Sequence, residues 1–256
     1  MNLARGIVLH ENAFRKTPVG GIVILEGPPA YCRPDAYAAF QKAVRRIDSE
    51  EGLLRAAFAI SLHDRPQDDF LVVEATIGQL ARTVKQRVSS DAPQAIQAHL
   101  HDVLFDVVGF SGNVEDYYDP ANSYVGEVLR LRRGIPISLV LVYKAVAREL
   151  GIAVHGINAP GHFLAGVELP EYGQPASQGL SYVDPFYGGT LLYEREVFDR
   201  IEQVTGRKVQ LAEPVLTKAT HREWLGRMLN NLQAVFASKG RERDLYAMQE
   251  LQQLLG

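Results

Sequence analysis

PISLVLVYKAVARELG, residues 136–151, is the stretch that decides the fold. Its first half has no polar face, because residues 139–142 are all aliphatic. A helix that is apolar on all sides is buried inside a domain rather than lying on its surface. Pro136 is favoured in the first turn of a helix, and Gly151 is favoured where a helix ends. The charged side chains expected to reach water all lie in the second half of this buried helix: Lys144, Arg148 and Glu149.

Three strand-like runs follow the buried helix. They are IAVHGIN at 152–158, HFLAGVEL at 162–169 and LSYVDPF at 180–186. Between the last two, PEYGQPASQG at 170–179 has the composition of a hairpin or loop. The sequence therefore predicts an α+β fold, in which a buried helix packs on a small antiparallel sheet.

The rest of the chain is predicted to be arranged around this core. Residues 1–34 are an N-terminal extension, residues 35–109 a helical subdomain and residues 110–212 the core itself. Residues 213–256 contain two amphipathic helices around Gly240, and this pair resembles a single tetratricopeptide-type hairpin. One such hairpin is not stable alone, so we expect it to pack on the core.

Composition argues against several classes of function. The 256 residues are 46% hydrophobic and 22% charged, with a net charge of −3, so no general attraction to nucleic acid or anionic membranes is expected. No apolar run approaches the length of a membrane span. The apolar run near the N-terminus is too short for a signal peptide. We therefore predict a cytoplasmic protein that binds neither nucleic acid nor membrane.

Cysteine usage limits the chemistry further. Cys32 is the only cysteine, so an intrachain disulfide and a cysteine-rich metal site are both excluded. The single thiol needs no function, because a small cysteine packs like an apolar residue. We expect no metal and no other cofactor.

The order of three features matches an arrangement of catalytic residues. The buried helix precedes His162 in GHF, which begins one strand, and Asp184 in VDP, which ends another. Cys, His and Asp come in this order in transglutaminase-like and papain-like cysteine enzymes. A thiol at the N-terminus of a buried helix is acidified by the helix dipole and by a neighbouring imidazolium. A carboxylate on an adjacent strand holds the imidazole in one tautomer.

More narrowly, the chain resembles the SirB1 family, a bacterial branch of the transglutaminase-like superfamily. The matching stretches are GFSGNVEDYYDPANSY (109–124), VLRLRRGIPISLVLVY (128–143), LGIAVHGINAPGHFL (150–164) and YVDPFYGG (182–189). The resemblance implies that residues 110–212 form a transglutaminase-like core, with His162 as the triad histidine and Asp184 as its acidic partner. In branches that have the nucleophile, a Cys directly follows the Gly-x that opens the buried helix. Pro136 occupies that position here, so the thiol is missing from the site.

Other residues are weaker candidates for the nucleophile. Ser138 lies two residues after Pro136, and at about 100° per residue its side chain points roughly 200° away from that of Pro136. Ser138 is therefore expected to face away from His162, and a serine there is also typical of a first helical turn. Cys32 is distant in sequence, and its position in space does not follow from the sequence.

Polar residues are concentrated before the buried helix and beside His162, where the SirB1 family borders its cleft. Their alternative role is turn formation, and Asp119 is expected to cap a short helix that Pro120 begins. Arg132 and Arg133 are candidates for binding an acidic or carboxylate ligand at the cleft. The candidate cleft-lining residues are Asn113, Tyr117, Asp119, Asn122, Asn158 and Arg133.

The function that the sequence predicts is non-catalytic binding of a protein or peptide in this cleft, because Pro136 replaces the nucleophile. One alternative is a hydrolase or acyl transferase that uses His162 and Asp184 with Ser138, Cys32 or water as the nucleophile. A further alternative is a regulatory scaffold that acts through its terminal helices. The sequence does not identify the ligand or the oligomeric state.

Overall fold

The structure, a computed structural model, describes residues 16–19, 22–25, 28–169, 180–206 and 216–256. The loop predicted at 170–179 lies outside this part of the chain. So do most of the predicted N-terminal extension and residues 207–215, near the end of the predicted core.

Helices account for most of the described residues. The α-helix that ends at His101 continues directly into a π-helix at Asp102–Val107, and short 3-10 helices occur at Pro120–Ser123 and Pro185–Tyr187. The α-helices are α1 (Pro34–Val44), α2 (Glu50–Ser61), α3 (Phe70–Arg87), α4 (Pro93–His101), α5 (Val125–Leu131), α6 (Pro136–Glu149), α7 (Glu194–Thr205), α8 (His221–Ser238) and α9 (Glu242–Gln253).

The strands in the described part of the chain are β1 (Lys16–Val19), β2 (Ile22–Leu25), β3 (Ser111–Gly112), β4 (Arg133–Gly134), β5 (Val154–Ala159), β6 (His162–Glu168), β7 (Leu180–Asp184), β8 (Thr190–Leu192) and β9 (Thr217–Lys218). They form three sheets, of which the largest is antiparallel and five-stranded in the order β8-β7-β6-β5-β9. In the small sheets β1 pairs antiparallel with β2, and β3 pairs parallel with β4. The predicted α+β class is confirmed.

Helix α6 is the buried helix that its sequence predicts. Residues 136–147 are all buried, polar as well as apolar. α6 packs on β5 and β6 of the large sheet, and it also contacts α2, α3 and α5. The helices that precede α6 in the chain therefore cover the parts of its surface that the sheet does not reach.

Strand β6 is buried on both faces. Phe163 and Ala165 belong to the main cluster of buried apolar side chains, which also contains those of α6. Leu164 points the other way and belongs to a second cluster with Val197 and Ile201 of α7. Because successive side chains of a strand alternate between faces, β6 lies between the main core and α7.

The expectation that Lys144 reaches water is wrong. Lys144 is only 6% exposed, and its Nζ donates to the carbonyl oxygen of Val154 and lies 2.8 Å from Glu50 Oε1. A buried ammonium requires such partners, because an unpaired charge in the core is costly. Arg148 and Glu149 are exposed, as predicted.

The helix that begins at Pro93 changes its winding part-way. The α-helix ends at His101, and a π-helix follows, in which the Val108 N–H donates to the carbonyl of Val103, five residues earlier. The ring of Phe105 on this segment stacks on that of Tyr143 in α6, at 6.2 Å between centroids. Apolar periodicity does not distinguish an α-helix from a short π-helical turn.

Helices α8 and α9 form the predicted C-terminal hairpin, which turns at Gly240 with a φ of +67°. Trp224 of α8 is fully buried, and its ring lies 4.7 Å from that of Phe163 in β6. A side chain at Gly156 would collide with both rings, so this glycine lets α8 approach the sheet. The expected packing of the hairpin on the core is observed.

Helix α9 also holds the segment that precedes α1. The carboxylate of Glu250 accepts hydrogen bonds from the backbone N–H groups of Ala30, Tyr31 and Cys32, at 2.7 to 3.2 Å. Glu250 therefore links the segment before α1 to the C-terminal helix.

His101 is expected to make the stability of the fold depend on pH. Its Nε2 lies 2.9 Å from the hydroxyl of Tyr143, and burial lowers the pKa of His101 from 6.5 to about 4. Between these values the unfolded chain binds more protons than the folded chain, so the free energy of unfolding falls as the pH drops through this window. The full effect is about 3 kcal/mol, because one pKa unit corresponds to about 1.4 kcal/mol.

We expect His101→Gln, which can still hydrogen-bond to Tyr143, to remove this part of the pH dependence. The measurement is urea unfolding of both proteins between about pH 7 and about pH 4. The quantity compared is the difference between their free energies of unfolding. Parallel curves for the two proteins over this range would contradict the prediction.

Candidate functional site

The structure brings together the two residues at the centre of the predicted site. His162 is the first residue of β6 and Asp184 the last of β7, and these strands are antiparallel neighbours. The two side chains therefore lie at the same edge of the sheet. His162 Nε2 lies 2.9 Å from Asp184 Oδ2, with His162 5% exposed and Asp184 fully buried.

Asp184 is surrounded by donors. Its Oδ1 accepts from the backbone N–H of Phe186 at 3.2 Å, and its Oδ2 lies 3.8 Å from Nε of Arg200. An ionised carboxylate only accepts hydrogen bonds, so the geometry assigns the proton of the neutral His162 ring to Nε2. Nδ1 then carries the lone pair, and no described residue hydrogen-bonds to it.

The start of α6 is linked to this pair through two glycines. Gly134, two residues before Pro136, pairs with Gly112, and a side chain at Gly112 would lie 2.5 Å from the ring of Phe186. The ring of Phe186 is in turn T-shaped to that of His162, at 6.4 Å between centroids. α6 itself packs on β6 and on the 3-10 helix that follows Asp184.

The hydroxyl of Ser138 is hydrogen-bonded to backbone groups. The residue is fully buried, its Oγ lies 2.5 Å from the carbonyl oxygen of Asn122, and it accepts from the N–H of Ile135 at 3.2 Å. The single hydroxyl proton is therefore directed at a carbonyl, and not at an imidazole nitrogen. This position agrees with the expected direction of Ser138 away from His162.

Cys32 lies in the segment that Glu250 of α9 holds. It is 3% exposed, and burial, with the nearby charge of Glu250, raises the pKa of its thiol to about 12. A thiol with such a pKa is protonated at neutral pH and is a poor nucleophile.

Three of the candidate cleft residues shape the loop before α5. Asn122 donates to the carbonyls of Asp116 and Tyr117 and accepts from Asn113 at 2.9 Å. Asp119 caps the 3-10 helix that begins at Pro120, as predicted, by accepting from the N–H of Ala121. Asn113, Asp119 and Asn122 thus have the turn-forming role that the sequence left open.

Aromatic side chains lie next to the His162–Asp184 pair. The ring of Tyr187 lies 6.2 Å from that of His162, and the ring of Tyr117 lies 6.0 Å from that of Phe186. Tyr118 contacts Tyr117 in turn, at 5.5 Å. Tyr117 and Tyr187 are 41% and 45% exposed, so they present large rings to solvent beside a buried pair. We call Tyr117, Tyr118, Phe186 and Tyr187 the aromatic cluster.

Two arginines at the site are not anticipated from the sequence. Arg200 of α7 lies over the ring of Tyr187 at 3.9 Å. Arg227 of α8 donates to Asn158 Oδ1 at 2.8 Å and to the carbonyl oxygen of His162 at 3.1 Å. Both belong to amphipathic helices, where arginine is an ordinary surface residue, so no sequence signal marks them. Arg133, which the sequence singles out, is exposed.

The side chains of Arg132 and Arg133 donate hydrogen bonds to a neighbouring backbone segment. Arg133 Nη1 donates to the carbonyls of Gly109 and Arg132, and Arg132 Nη1 donates to that of Val108. These bonds hold the end of the π-helix against β4.

Two kinds of feature are absent from the part of the chain that the structure describes. No helix there is both long and apolar enough to cross a membrane. No group of three or more His, Cys, Asp or Glu side chains there is arranged to hold a metal ion.

A buried helix packed on an antiparallel sheet, with a His–Asp pair at adjacent strand ends, defines a transglutaminase-like class of protein. The sequence model of the family described as "Transglutaminase-like superfamily" matches residues 72–230, and the chain belongs to this superfamily. The prediction of a transglutaminase-like fold is thereby confirmed.

Relatives are found in bacteria and in animals. A UPF0162 protein of Xylella fastidiosa (strain 9a5c) is 33% identical over 193 residues, which are 74% of this chain and 66% of the relative. A UPF0162 protein of Vibrio cholerae is 34% identical over 115 residues, 43% of this chain and 40% of the relative. The F-box only protein 21 of Mus musculus is 50% identical over 62 residues, 24% of this chain and 10% of that protein. No solved structure matches the chain.

The backbone around Asp184 depends on a glycine. The N–H of Gly189 donates to the carbonyl of Asp184 at 2.9 Å, its φ is +74°, and a side chain there would collide with the ring of Phe105. Gly188 has a similar φ of +67°, with open space where a side chain would lie.

These two glycines give a matched comparison. We expect Gly188→Ala to destabilise the protein by about 1 kcal/mol through backbone strain. Gly189→Ala is expected to cost about 1–3 kcal/mol more, because it also displaces Phe105. Urea unfolding of both variants measures the difference. Equal destabilisation of the two would show that Phe105 does not support the loop after Asp184.

Proposed function

We propose that this protein is a SirB1-like, cytoplasmic member of the superfamily that binds a protein or peptide without catalysis, in the cleft beside His162. The observation that carries the proposal is Pro136 as the first residue of α6. Proline has neither a thiol nor a hydroxyl, and it has no backbone N–H. The site therefore has a base and its carboxylate without a nucleophile at the helix end.

The two other candidate nucleophiles do not fit the role. The hydroxyl of Ser138 is buried and directed at the carbonyl of Asn122. The thiol of Cys32 is buried in a segment held by α9, and its pKa is raised to about 12. Nucleophilic catalysis needs a hydroxyl or thiol within hydrogen-bond reach of its base.

The aromatic cluster supports binding. Tyrosine combines a large apolar surface with a polar hydroxyl, and it is frequent at protein interfaces. Tyr117, Tyr118 and Tyr187 are exposed side by side around a buried polar pair. Such a surface suits an extended peptide that lays apolar side chains on the rings.

A second candidate function is hydrolysis by an activated water. The lone pair of His162 Nδ1, which has no partner among the described residues, supports this alternative. A water at Nδ1 would be deprotonated by the ring while Asp184 stabilises the imidazolium. Turnover of peptide substrates that depends on His162 would favour this alternative over binding.

A scaffold role for the terminal helices is not independent of the core. α8 contributes Trp224 to the core and Arg227 to the surroundings of His162. Removal of this helix would therefore disturb the site together with any surface that the hairpin offers.

We expect Pro136→Cys to create a reactive thiol, if residue 136 occupies the nucleophile position. The N-terminus of α6 and the base His162 would both favour the thiolate. Iodoacetamide would therefore label this thiol at pH values well below the usual cysteine pKa of about 8.5. In the double variant with His162→Ala, labelling at about pH 6 should be about tenfold slower. The measurement is the alkylation rate by mass spectrometry.

Pro93→Cys is the control, since Pro93 is the first residue of α4. A thiol there lies at the N-terminus of a helix, as at residue 136, but is not beside His162. The His162→Ala change should leave its labelling rate unaltered. Cys32 should stay unlabelled throughout, because its pKa is raised to about 12 and the thiol is therefore protonated at these pH values. If His162→Ala does not change the alkylation rate of the thiol at residue 136, the assignment of the nucleophile position is contradicted.

Binding itself is tested with a displayed library of random peptides selected on the full chain. We expect selected peptides to bind Tyr187→Ala about tenfold more weakly, the loss typical of an important interface residue. Tyr246→Ala, a similarly exposed tyrosine on α9, should not change the affinity. His162→Ala should alter the affinity only slightly and equally at all pH values, and the peptides should remain uncleaved.

Two results would overturn the proposed function. One is a selection that yields no peptide whose affinity depends on Tyr187. The other is cleavage of the bound peptides that His162→Ala abolishes, which would identify the protein as a hydrolase.

A further inference from the structure

We propose that Arg227 binds a carboxylate group of the ligand in the cleft beside His162. This inference rests on the proposed function, because it gives the chemistry of the peptide that the cleft would hold. It starts from a partly buried cation whose charge no described carboxylate compensates.

Arg227 is held in place beside His162 by neutral groups. Its Nη1 donates to Asn158 Oδ1 at 2.8 Å, and its Nη2 donates to the carbonyl oxygen of His162 at 3.1 Å. The guanidinium lies over the ring of Phe163, 5.1 Å from its centroid. Two hydrogen bonds and a ring contact fix both the place and the plane of this group.

No carboxylate lies against Arg227 among the described residues. Two other partly buried arginines have acidic partners: Arg65 lies 2.9 Å from both Asp68 and Glu127, and Arg241 is paired with Asp64 and Asp244. Arg227 is half-buried, and its burial lowers its pKa, with only the hydroxyl of Tyr117 acting in the opposite direction. A partly buried cation without an anion is unfavourable unless a ligand supplies one.

The donors that remain suit a carboxylate. A guanidinium has five N–H groups, and the hydrogen bonds to Asn158 and His162 use two of them. The others lie in the same fixed plane, which matches the two oxygens of a carboxylate. The hydrogen bond from Arg227 to the carbonyl oxygen of His162 places the guanidinium beside the residue whose ring contacts Tyr187 of the aromatic cluster, so one peptide can contact both.

The charge of the surroundings favours a single negative charge. Arg200, the second arginine at the site, lies 3.8 Å from Asp184 and is compensated by it. Arg133 is exposed and donates to two backbone carbonyls. A single partly buried guanidinium without an anion matches a carboxylate better than a doubly charged phosphate, which usually needs further donors.

Two groups of a peptide carry this chemistry, the C-terminal carboxylate and the side chain of Asp or Glu. Two pairs of probes distinguish them. Acetyl-Ala-Ala-Ala is compared with its C-terminal amide, and acetyl-Ala-Glu-Ala-amide is compared with acetyl-Ala-Gln-Ala-amide. Binding is followed by the NMR signal of the Arg227 Nε–Hε group and, for the variants, by backbone amide signals of β5 and β6.

We expect the carboxylate member of at least one pair to bind the full chain about tenfold or more tightly than its neutral partner. Arg227→Gln should abolish this preference, and Arg227→Lys, which keeps the charge without the planar fork, should reduce it. Arg222→Gln changes an exposed arginine of the same helix and should leave the preference intact. Urea unfolding shows whether each variant is folded, and Arg227→Lys provides the test if Arg227→Gln is not.

The outcomes separate this inference from the proposed function. If neither carboxylate probe shifts the Arg227 signal, or if the preference persists in Arg227→Gln and Arg227→Lys, the inference is overturned. Library peptides whose affinity falls in Tyr187→Ala but is unchanged in Arg227→Gln would support peptide binding and contradict the carboxylate site. A carboxylate preference that needs Arg227, with no library peptide bound at Tyr187, would support the arginine site and refute peptide binding.

Discussion

The burial of α6 is the constraint on which the rest of the structure depends. A helix with no polar face in its first half has to be covered on every side, and the sheet covers only part of it. Helices that precede α6 supply most of the remaining cover, and α8 and the 3-10 helix after Asp184 also contact it. The ammonium group of Lys144 on this helix is tolerated because it pairs with Glu50 and donates to the carbonyl of Val154. The same contacts join α2, α6 and β5.

The geometry of the site follows from that core. The antiparallel pairing of β6 with β7 places the first residue of one strand beside the last of the other, which brings His162 to Asp184. The loop after Asp184 is supported by a residue distant in sequence, because Phe105 of the π-helix packs against Gly189, where a side chain would not fit. The imidazole and its carboxylate are therefore held by several elements that contact the same core.

The charges around the pair are unequally compensated. Asp184 is buried between the ring of His162 and the guanidinium of Arg200, so its negative charge is balanced within the protein. Arg227, on α8, interacts with neutral acceptors. Pro136 at the start of α6 and this uncompensated guanidinium are the two observations on which the proposed binding of a ligand without catalysis rests.

The sequence by itself determined the buried helix, the strands after it and the His162–Asp184 pair, because periodicity and motif order are local properties of the chain. It did not determine that Lys144 is buried or that the helix after His101 becomes a π-helix, since both depend on what packs against them. Arg200 and Arg227 lie on amphipathic helices that are distant in sequence from His162, and their spacing carries no sign of a site. Only the tertiary structure decided that these cations lie beside the pair, because the packing of α7 and α8 against the sheet sets the direction of their side chains.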